Sequence, residues 1–240
     1  MADVAIASFH LVDVDRRHAW SGLSRIGLDR QALASCDGLR FWRLLGTGCD
    51  DRVVGTFRPT RRALFAVWED DVALAGFLAD SPVAARWESA HEAWHVRLRL
   101  ISGHGCWGGS APLADLVPAG PSPSGPVVTL TRAAIRARRA AVFAGHSRTV
   151  GRSLGSVSGL RAMVGVGEVP LIRLGTLAVW DDDRAVVAAA AAWSDHAAAM
   201  QAALNDRWFS ESLFARFSPY ASAGTWSGVD PVSVSPRRAL

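Results

Sequence analysis

His91-Glu92-Ala93-Trp94-His95 spells H-E-x-x-H, the pattern in which two histidines one helical turn apart bind zinc while the glutamate activates water. That chemistry needs the interior of a long helix, a third ligand downstream and an open cleft. Here the pattern falls where a helical stretch gives way to an alternating strand. A second copy of the region reads Ser210-Glu211-Ser212-Leu213-Phe214, keeping the glutamate and losing both histidines. Zinc at His91 and His95 is therefore not expected. Glu92 and Glu211 read as one duplicated structural position, paired with the likewise duplicated Arg97 and Arg216.

His196 offers different chemistry. In a helix, Trp193, His196 and Met200 share one face, so the imidazole points at an apolar layer. Ser194 stands as the N-cap of a short helix beginning at Asp195, which places His196 in its first turn. The positive end of the helix dipole disfavours imidazolium and favours the neutral ring that can ligate a metal. A core histidine bonded to a backbone carbonyl is the alternative that position alone leaves open. The counterpart of His196 in the first copy is Ala84, so whatever it does happens once per chain.

Gly46-Thr47-Gly48 and Gly165-Val166-Gly167 follow predicted strands, and neither opens the helix turn of a dinucleotide site. Close approach of backbone to a flat ligand, or plain strand-end geometry, accounts for glycine there. His10, His18, His104 and His146 stand apart from one another in this layout.

The elements that carry these residues come in two sets, because the chain repeats itself at an offset of about 112 to 121 residues. Phe65-Ala66-Val67-Trp68-Glu69-Asp70 returns as Leu177-Ala178-Val179-Trp180-Asp181-Asp182, Gly38-Leu39-Arg40 as Gly159-Leu160-Arg161, and Gly105-Cys106-Trp107-Gly108-Gly109 as Gly224-Thr225-Trp226-Ser227-Gly228. So long a period makes each copy a small domain and not one turn of a solenoid. In the first copy, strands are expected over 4–11, 38–45, 63–68 and 96–101, with helices over 18–34 and 71–92. Ser81-Pro82 should interrupt the longer helix, as an N-cap followed by proline at the first helical position. The second copy follows with strands over 126–133, 160–167, 174–180 and 213–217 and helices over 136–154 and 182–206.

This order is the split βαβ, ferredoxin-like unit. The expected layout is a first repeat over 1–109, a Pro/Gly-rich linker over 110–125, a second repeat over 126–228 holding the cofactor site, and a tail over 229–240. Each unit leaves one sheet face bare. Burying the two bare faces against each other predicts an α+β fold, a pseudo-dimeric α/β barrel in one chain.

Composition narrows the partners. Half of the 240 residues are hydrophobic, all 26 basic residues are arginine, and they are scattered and not run together, so a phosphate-tracking surface and a nucleic-acid partner are not expected. Cys36, Cys49 and Cys106 form no C-x-x-C pair, and the odd number argues against a disulfide framework, which suits a reducing cytoplasm. The first residues do not read as a signal peptide. The longest apolar run, Ala185 to Trp193, falls short of the roughly 20 residues a membrane helix needs, so any membrane contact is expected from the surface.

Several blocks together resemble the spheroidene monooxygenase family, the carotenoid ketolases of phototrophic bacteria. They are Leu130-Thr131-Arg132-Ala133-Ala134-Ile135, Val166-Gly167-Glu168-Val169-Pro170, the run from Trp208 to Phe217, and Gly224-Thr225-Trp226-Ser227-Gly228-Val229-Asp230-Pro231, with Gly105-Cys106-Trp107-Gly108-Gly109 and Pro112 in the first half. The resemblance implies a heme-dependent monooxygenase that inserts oxygen from dioxygen into an apolar, carotenoid-like metabolite, drawing electrons from an external donor such as a ferredoxin. It implies one heme b, with His196 as the iron ligand and Trp193, Met200, Gly165 and Gly167 beside the cofactor. Two departures stand out: Phe57-Arg58-Pro59-Thr60-Arg61-Arg62 carries three arginines in the place of the family's Phe-Thr-Pro, and Ala144-Gly145 replaces an aromatic. The architecture also supports a heme lyase or dehydratase acting on a nitrogen-bearing molecule, and a non-catalytic heme or lipophile carrier.

Overall fold

The computed structural model describes residues 4–15, 17, 26–48, 57–120, 125–136, 158–169, 172–192 and 209–233. Among them the chain runs β1 (Ile6–Asp13), α1 (Ile26–Ala34), β2 (Leu39–Gly48), β3 (Phe57–Trp68), α2 (Asp71–Asp80), α3 (Pro82–Ala85), β4 (Glu92–Gly105), β5 (Val127–Ile135), β6 (Leu160–Val169), β7 (Arg173–Trp180), α4 (Asp183–Ala192) and β8 (Phe209–Gly224).

The eight strands close into one antiparallel barrel in the order β1-β3-β2-β6-β7-β5-β8-β4. Read from β4, the first four strands lie in the order fourth, first, third, second; read from β8, the last four do the same. Two seams join the halves. One is long, pairing β4 with β8 from Trp94↔Gly224 to Gly105↔Leu213. The other, between β2 and β6, is Gly46↔Gly167 and Thr47↔Val166 among the described residues.

Alternation along each strand sends one set of side chains into the barrel and the other outward. The inner set, with Phe9, Phe65, Val96, Leu130, Leu177 and Phe217 among its members, forms a single apolar core drawn from both halves. Two tryptophan turns reach into this same core. Trp107 stacks on Phe65 with ring centroids 5.7 Å apart, and Trp226 packs on Trp94 at 5.5 Å. Leu113 and Leu116, from the proline-rich stretch between the halves, are buried in it too. The barrel is therefore a packed core and not a pore.

The duplicated blocks have local physical causes. Gly38 and Gly159 both have positive φ, at 69° and 85°, and a Cβ on either would come within 2.5 Å of the Cβ of Ala73 or Ala185. Glycine lets the strand start press against the following helix. That helix is capped alike in both halves: Asp70 accepts from the Ala73 amide and Asp182 from the Ala185 amide, each at 2.8 Å. Trp68 donates to Ser8 at 2.8 Å and Trp180 to Thr129 at 2.9 Å, on matched outward positions.

The expected break at Ser81-Pro82 is present: the Ser81 hydroxyl accepts from the Val83 amide and α3 starts at Pro82. The expected helix over 71–92 nevertheless ends at Ala85, and the chain is extended from Glu92 onward. H-E-x-x-H therefore runs into a strand, where four residues span about 13 Å and not one helical turn. β4 and β8 are also longer than their hydrophobic alternation. Their outer ends, His104–Gly105 and Ala221–Gly224, are exposed and carry no apolar signal.

The expected pairing of Glu92 with Arg97 and of Glu211 with Arg216 is corrected. Arg97 pairs with Asp71 at 2.5 Å and Arg216 with Asp183 at 2.8 Å. Glu211 instead accepts from the amides of Gly108 and Gly109, at 2.9 and 2.8 Å, and from Arg132. Glu92 accepts from the amide of Gly228 at 2.7 Å and the Thr225 hydroxyl at 3.0 Å. Each glutamate thus clamps the tryptophan turn of the opposite half. On a strand, successive side chains face opposite ways, so Glu92 and Arg97, five apart, point to different faces.

Candidate functional site

With the lumen filled, a ligand must lie outside the barrel, between the sheet and the helices. The two halves present equivalent rows of outward residues there, fixed by strand register. In the first half the row crosses β4, β1, β3 and β2 as His95, His10, Leu64 and Leu44. In the second it crosses β8, β5, β7 and β6 as Phe214, Thr131, Thr176 and Gly165. One row is bulky. The other, over its last three strands, bears nothing longer than threonine.

The first-half face is covered by α1, α2 and α3, and between it and the helices lies a cavity of about 300 Å³. His10 forms part of its lining and is 2% exposed. Both its ring nitrogens are engaged: Nδ1 lies 2.9 Å from His95 Nδ1 and Nε2 lies 2.9 Å from Ser8 Oγ. Because the Ser8 oxygen also accepts from Trp68, the four groups form one continuous chain from His95 to Trp68. Burial, then the neighbouring His95 and Arg97, hold the His10 imidazole well below its ordinary pKa; burial also lowers that of His95. Trp87 sits over both rings, with centroids 4.8 Å from His10 and 5.3 Å from His95. An imidazole so tied has no nitrogen to offer an iron without breaking a buried hydrogen bond, which costs about 1–3 kcal/mol. His10 is therefore not placed to ligate an iron.

On the second-half face, exposure falls from exposed Thr131 through half-buried Thr176 to buried Gly165. Beside this row Met163, Ala178 and Trp180 pack under α4 with Val186 and Ala189. The row carries small side chains, Thr131, Thr176 and Gly165, beside the apolar cluster that packs under α4. Gly167 lies on the same face, at the seam, where a Cβ would come 2.9 Å from the Arg173 carbonyl and 3.2 Å from Leu174 Cδ2. Strand packing alone accounts for that glycine. His196, Trp193 and Met200 lie outside the described residues, as do His18 and His146. Gly165 and Gly167 are thus the named site residues that the structure positions, on neighbouring outward positions of β6.

A charged cluster inside one end of the barrel went unnoticed in the sequence. Glu168 receives Arg43 Nε at 3.1 Å, Arg132 Nη2 at 3.5 Å and the Trp107 indole at 3.0 Å. Arg132, its side chain 3% exposed, also pairs with Glu211. Burial alone would raise the Glu211 carboxyl, but the Gly109 and Gly108 amides and Arg132 outweigh it and hold it at about 2. Four ionic groups from β2, β5, β6 and β8 lie far apart in sequence, and only the duplicated glutamate gave any hint of them. Among the described residues, no group of three or more His, Cys, Asp or Glu is placed to hold a metal ion. No helix among them is long and apolar enough to cross a membrane.

No family model matches the sequence. The chain is 33% identical over 214 residues to the spheroidene monooxygenase of Rhodobacter capsulatus, an alignment covering 88% of each chain. It is 36% identical over 194 residues to the spheroidene monooxygenase of Rubrivivax gelatinosus, covering 80% of this chain and 73% of that one. Among solved structures, an aldoxime dehydratase in complex with butyraldoxime superposes with a TM-score of 0.52 at 12% identity, covering 91% of this chain and 80% of the other. That likeness concerns the fold, a ferredoxin-like barrel of the dimeric α/β type.

Proposed function

The chain belongs to the spheroidene monooxygenase family and is a monooxygenase, and from that premise we propose that it inserts oxygen into an apolar, carotenoid-like metabolite using one heme b held on the second-half face. The observation that supports this reading is the contrast between the two outward rows: the second carries the small residues Thr131, Thr176 and Gly165 where the first carries His10, Leu64 and Leu44. His196, four residues beyond the end of α4 in sequence, is the proposed iron ligand, with Trp193 and Met200 on the same helical face. A first-turn position keeps its ring neutral. When bound, heme supplies dioxygen binding and the redox chemistry of oxygen insertion, with electrons from an external donor such as a ferredoxin.

The protein's own part is to seat, orient and keep dry. Trp180 is held by Thr129, so its indole is fixed as a rigid apolar wall of the site. Met163 and Ala178 extend that wall and exclude water. The layout of domains fits the same reading: a duplicated ferredoxin-like unit over 1–109 and 126–228, with 110–125 as linker, in which only the second copy kept a cofactor site.

The test is an absorption spectrum of the full chain after heme is supplied, with and without His196→Ala. The expected result is a histidine-ligated Soret band in the parent that the variant loses or binds at least tenfold more weakly, with unchanged circular dichroism. A parent with no Soret band sinks the heme reading. A variant with the parent's spectrum moves ligation to another histidine, His146 being next.

A further inference from the structure

The ionic cluster at one end of the barrel has no part in the proposed reaction, and its members meet across the short seam. Arg43 comes from the first half; Glu168, Arg132 and Glu211 come from the second. Backbone pairing between β2 and β6 covers Thr47↔Val166 and Gly46↔Gly167 among the described residues. One step further along, side chains join the halves: Arg43 Nε lies 3.1 Å from Glu168, and the Trp107 indole donates to the same carboxylate at 3.0 Å. Behind Glu168, Arg132 lies 3.5 Å from it and also pairs with Glu211. Glu211 in turn holds the Gly108 and Gly109 amides, so one carboxylate ties the Trp107 turn to β8 and the other ties it to β6. Arg43 lies against the turn as well, donating to the Trp107 carbonyl at 3.1 Å, where a Cβ on Gly108 would come 2.6 Å from its Nη2.

Closure of the barrel does not ask for these charges. By strand register, the opposite end has Leu11 in the place of Arg132, Thr47 in the place of Glu168 and Val164 in the place of Arg43. Glu92 keeps its hold on the Trp226 turn there. A network of charges buried in this way adds little stability over apolar packing of the same volume. It differs from such packing in being cooperative: removing one member leaves buried partners unpaired, so the arrangement lets go as a unit. The long seam needs no such help, because a backbone ladder carries it from Trp94↔Gly224 to Gly105↔Leu213.

We propose that the network of Arg43, Glu168, Arg132 and Glu211 is a latch on the short seam: breaking the contact of Arg43 with Glu168 lets β2 part from β6 at that end of the barrel while β4 and β8 stay paired. Glu211 keeps the Trp107 turn on β8 in the open form, so Glu168 is the point at which the turn and β2 let go of β6. The opening uncovers Leu45 and Val166, core residues beside the seam, and leaves the rest of the lumen packed. Gly167 moves with β6, so one edge of the second-half face is set by whether the latch is shut.

The experiment follows hydrogen exchange of the full chain by mass spectrometry. Arg43→Met and Glu168→Gln should each raise exchange in the seam stretches of β2 and β6 at least tenfold, and leave β4 and β8 within about threefold of the parent. The two substitutions together should exceed the larger single effect by less than about twofold, because a latch already released cannot be released again. Equal acceleration at both seams would show that the network supports only global stability. No acceleration at the short seam would show that it fastens nothing, and multiplying effects in the double variant would show that the two residues act apart. Each of these results overturns the proposal. If Glu168→Gln is unfolded by circular dichroism, the triple variant Arg43→Val, Arg132→Leu, Glu168→Thr, which writes in the residues of the opposite end and leaves fewer charges buried, is read in its place with the same expected contrast between seams. None of these outcomes depends on heme or turnover, so the latch stands or falls separately from the proposed reaction.

Discussion

The two outward faces of this barrel share strand order, register and a tryptophan bonded to a hydroxyl, yet they differ in every residue of the row between sheet and helices. Where the first half puts His95, His10, Leu64 and Leu44, the second puts Phe214, Thr131, Thr176 and Gly165. The lesson is that the scaffold tolerates either filling. What is common to both halves belongs to folding, and what differs is where function has room to reside.

Writing the first row into the second gives the largest expected effect. Gly165→Leu with Thr176→Leu should weaken heme binding at least a hundredfold, roughly 2.7 kcal/mol, as read by Soret titration. Circular dichroism should keep the parent's shape, with a loss in melting temperature expected from adding volume at buried Gly165. Undiminished heme binding would mean that this row is not the cofactor face.

Next comes the histidine network. His10→Ala removes two buried hydrogen bonds and should cost about 2 kcal/mol in denaturant unfolding, while Thr131→Ala, at the matched position, should stay within about 0.5 kcal/mol. Equal costs would show that the network adds nothing to the first half.

The same network predicts a pH dependence. Both imidazoles have depressed pKa values in the folded protein, so the unfolded chain takes up protons first as pH falls below about 6.5. Stability is therefore fullest above that pH and declines below it, by at most about 1.4 kcal/mol per pH unit for each histidine. His10→Ala should flatten the slope between pH 6.5 and 5. An unchanged slope would place the proton uptake elsewhere.

The smallest contrast is expected where the halves agree. Trp68→Phe and Trp180→Phe each remove one indole donor to a buried hydroxyl and should cost a similar amount, about 1 kcal/mol. A difference of more than about 1 kcal/mol between them would mean that the shared architecture is not energetically shared.

How far the sequence could be read follows from the range of its signals. Strand order was legible because Trp68 and Trp180, Gly38 and Gly159, and Asp70 and Asp182 perform local tasks that leave local marks: an anchored indole, a positive φ against a helix, an N-cap. The ends of β4 and β8 were not, since exposed strand residues lose the alternation that reveals the middle. The partners of Glu92 and Glu211 were misjudged for a related reason: five residues along a strand reverse the face, and their true partners are glycine amides more than 100 residues away. The cavity beside His10 needs β1, β2, β3, α1 and α3 at once, and no spacing along the chain encodes it. His196 was singled out by its local setting and lies outside the described residues, so its role rests on the spectral test.

The two seams between the halves are unequal, and this bears on how the protein would aggregate. A closed barrel has no free strand edge to template another chain. Opening it must break one seam, and among the described residues the pairing of Gly46 and Thr47 with Gly167 and Val166 is far shorter than the pairing of β4 with β8. Amide protons there should exchange with solvent through a local opening before those of the long seam do. The edges so exposed are guarded. Gly46 and Gly167 pack no side chain and weaken strand addition, while Arg43 and Glu168 stand close by as charges that an incoming strand would have to bury. Among the described residues, the shorter closure of the barrel is thus placed where sticking to a neighbour is least rewarded.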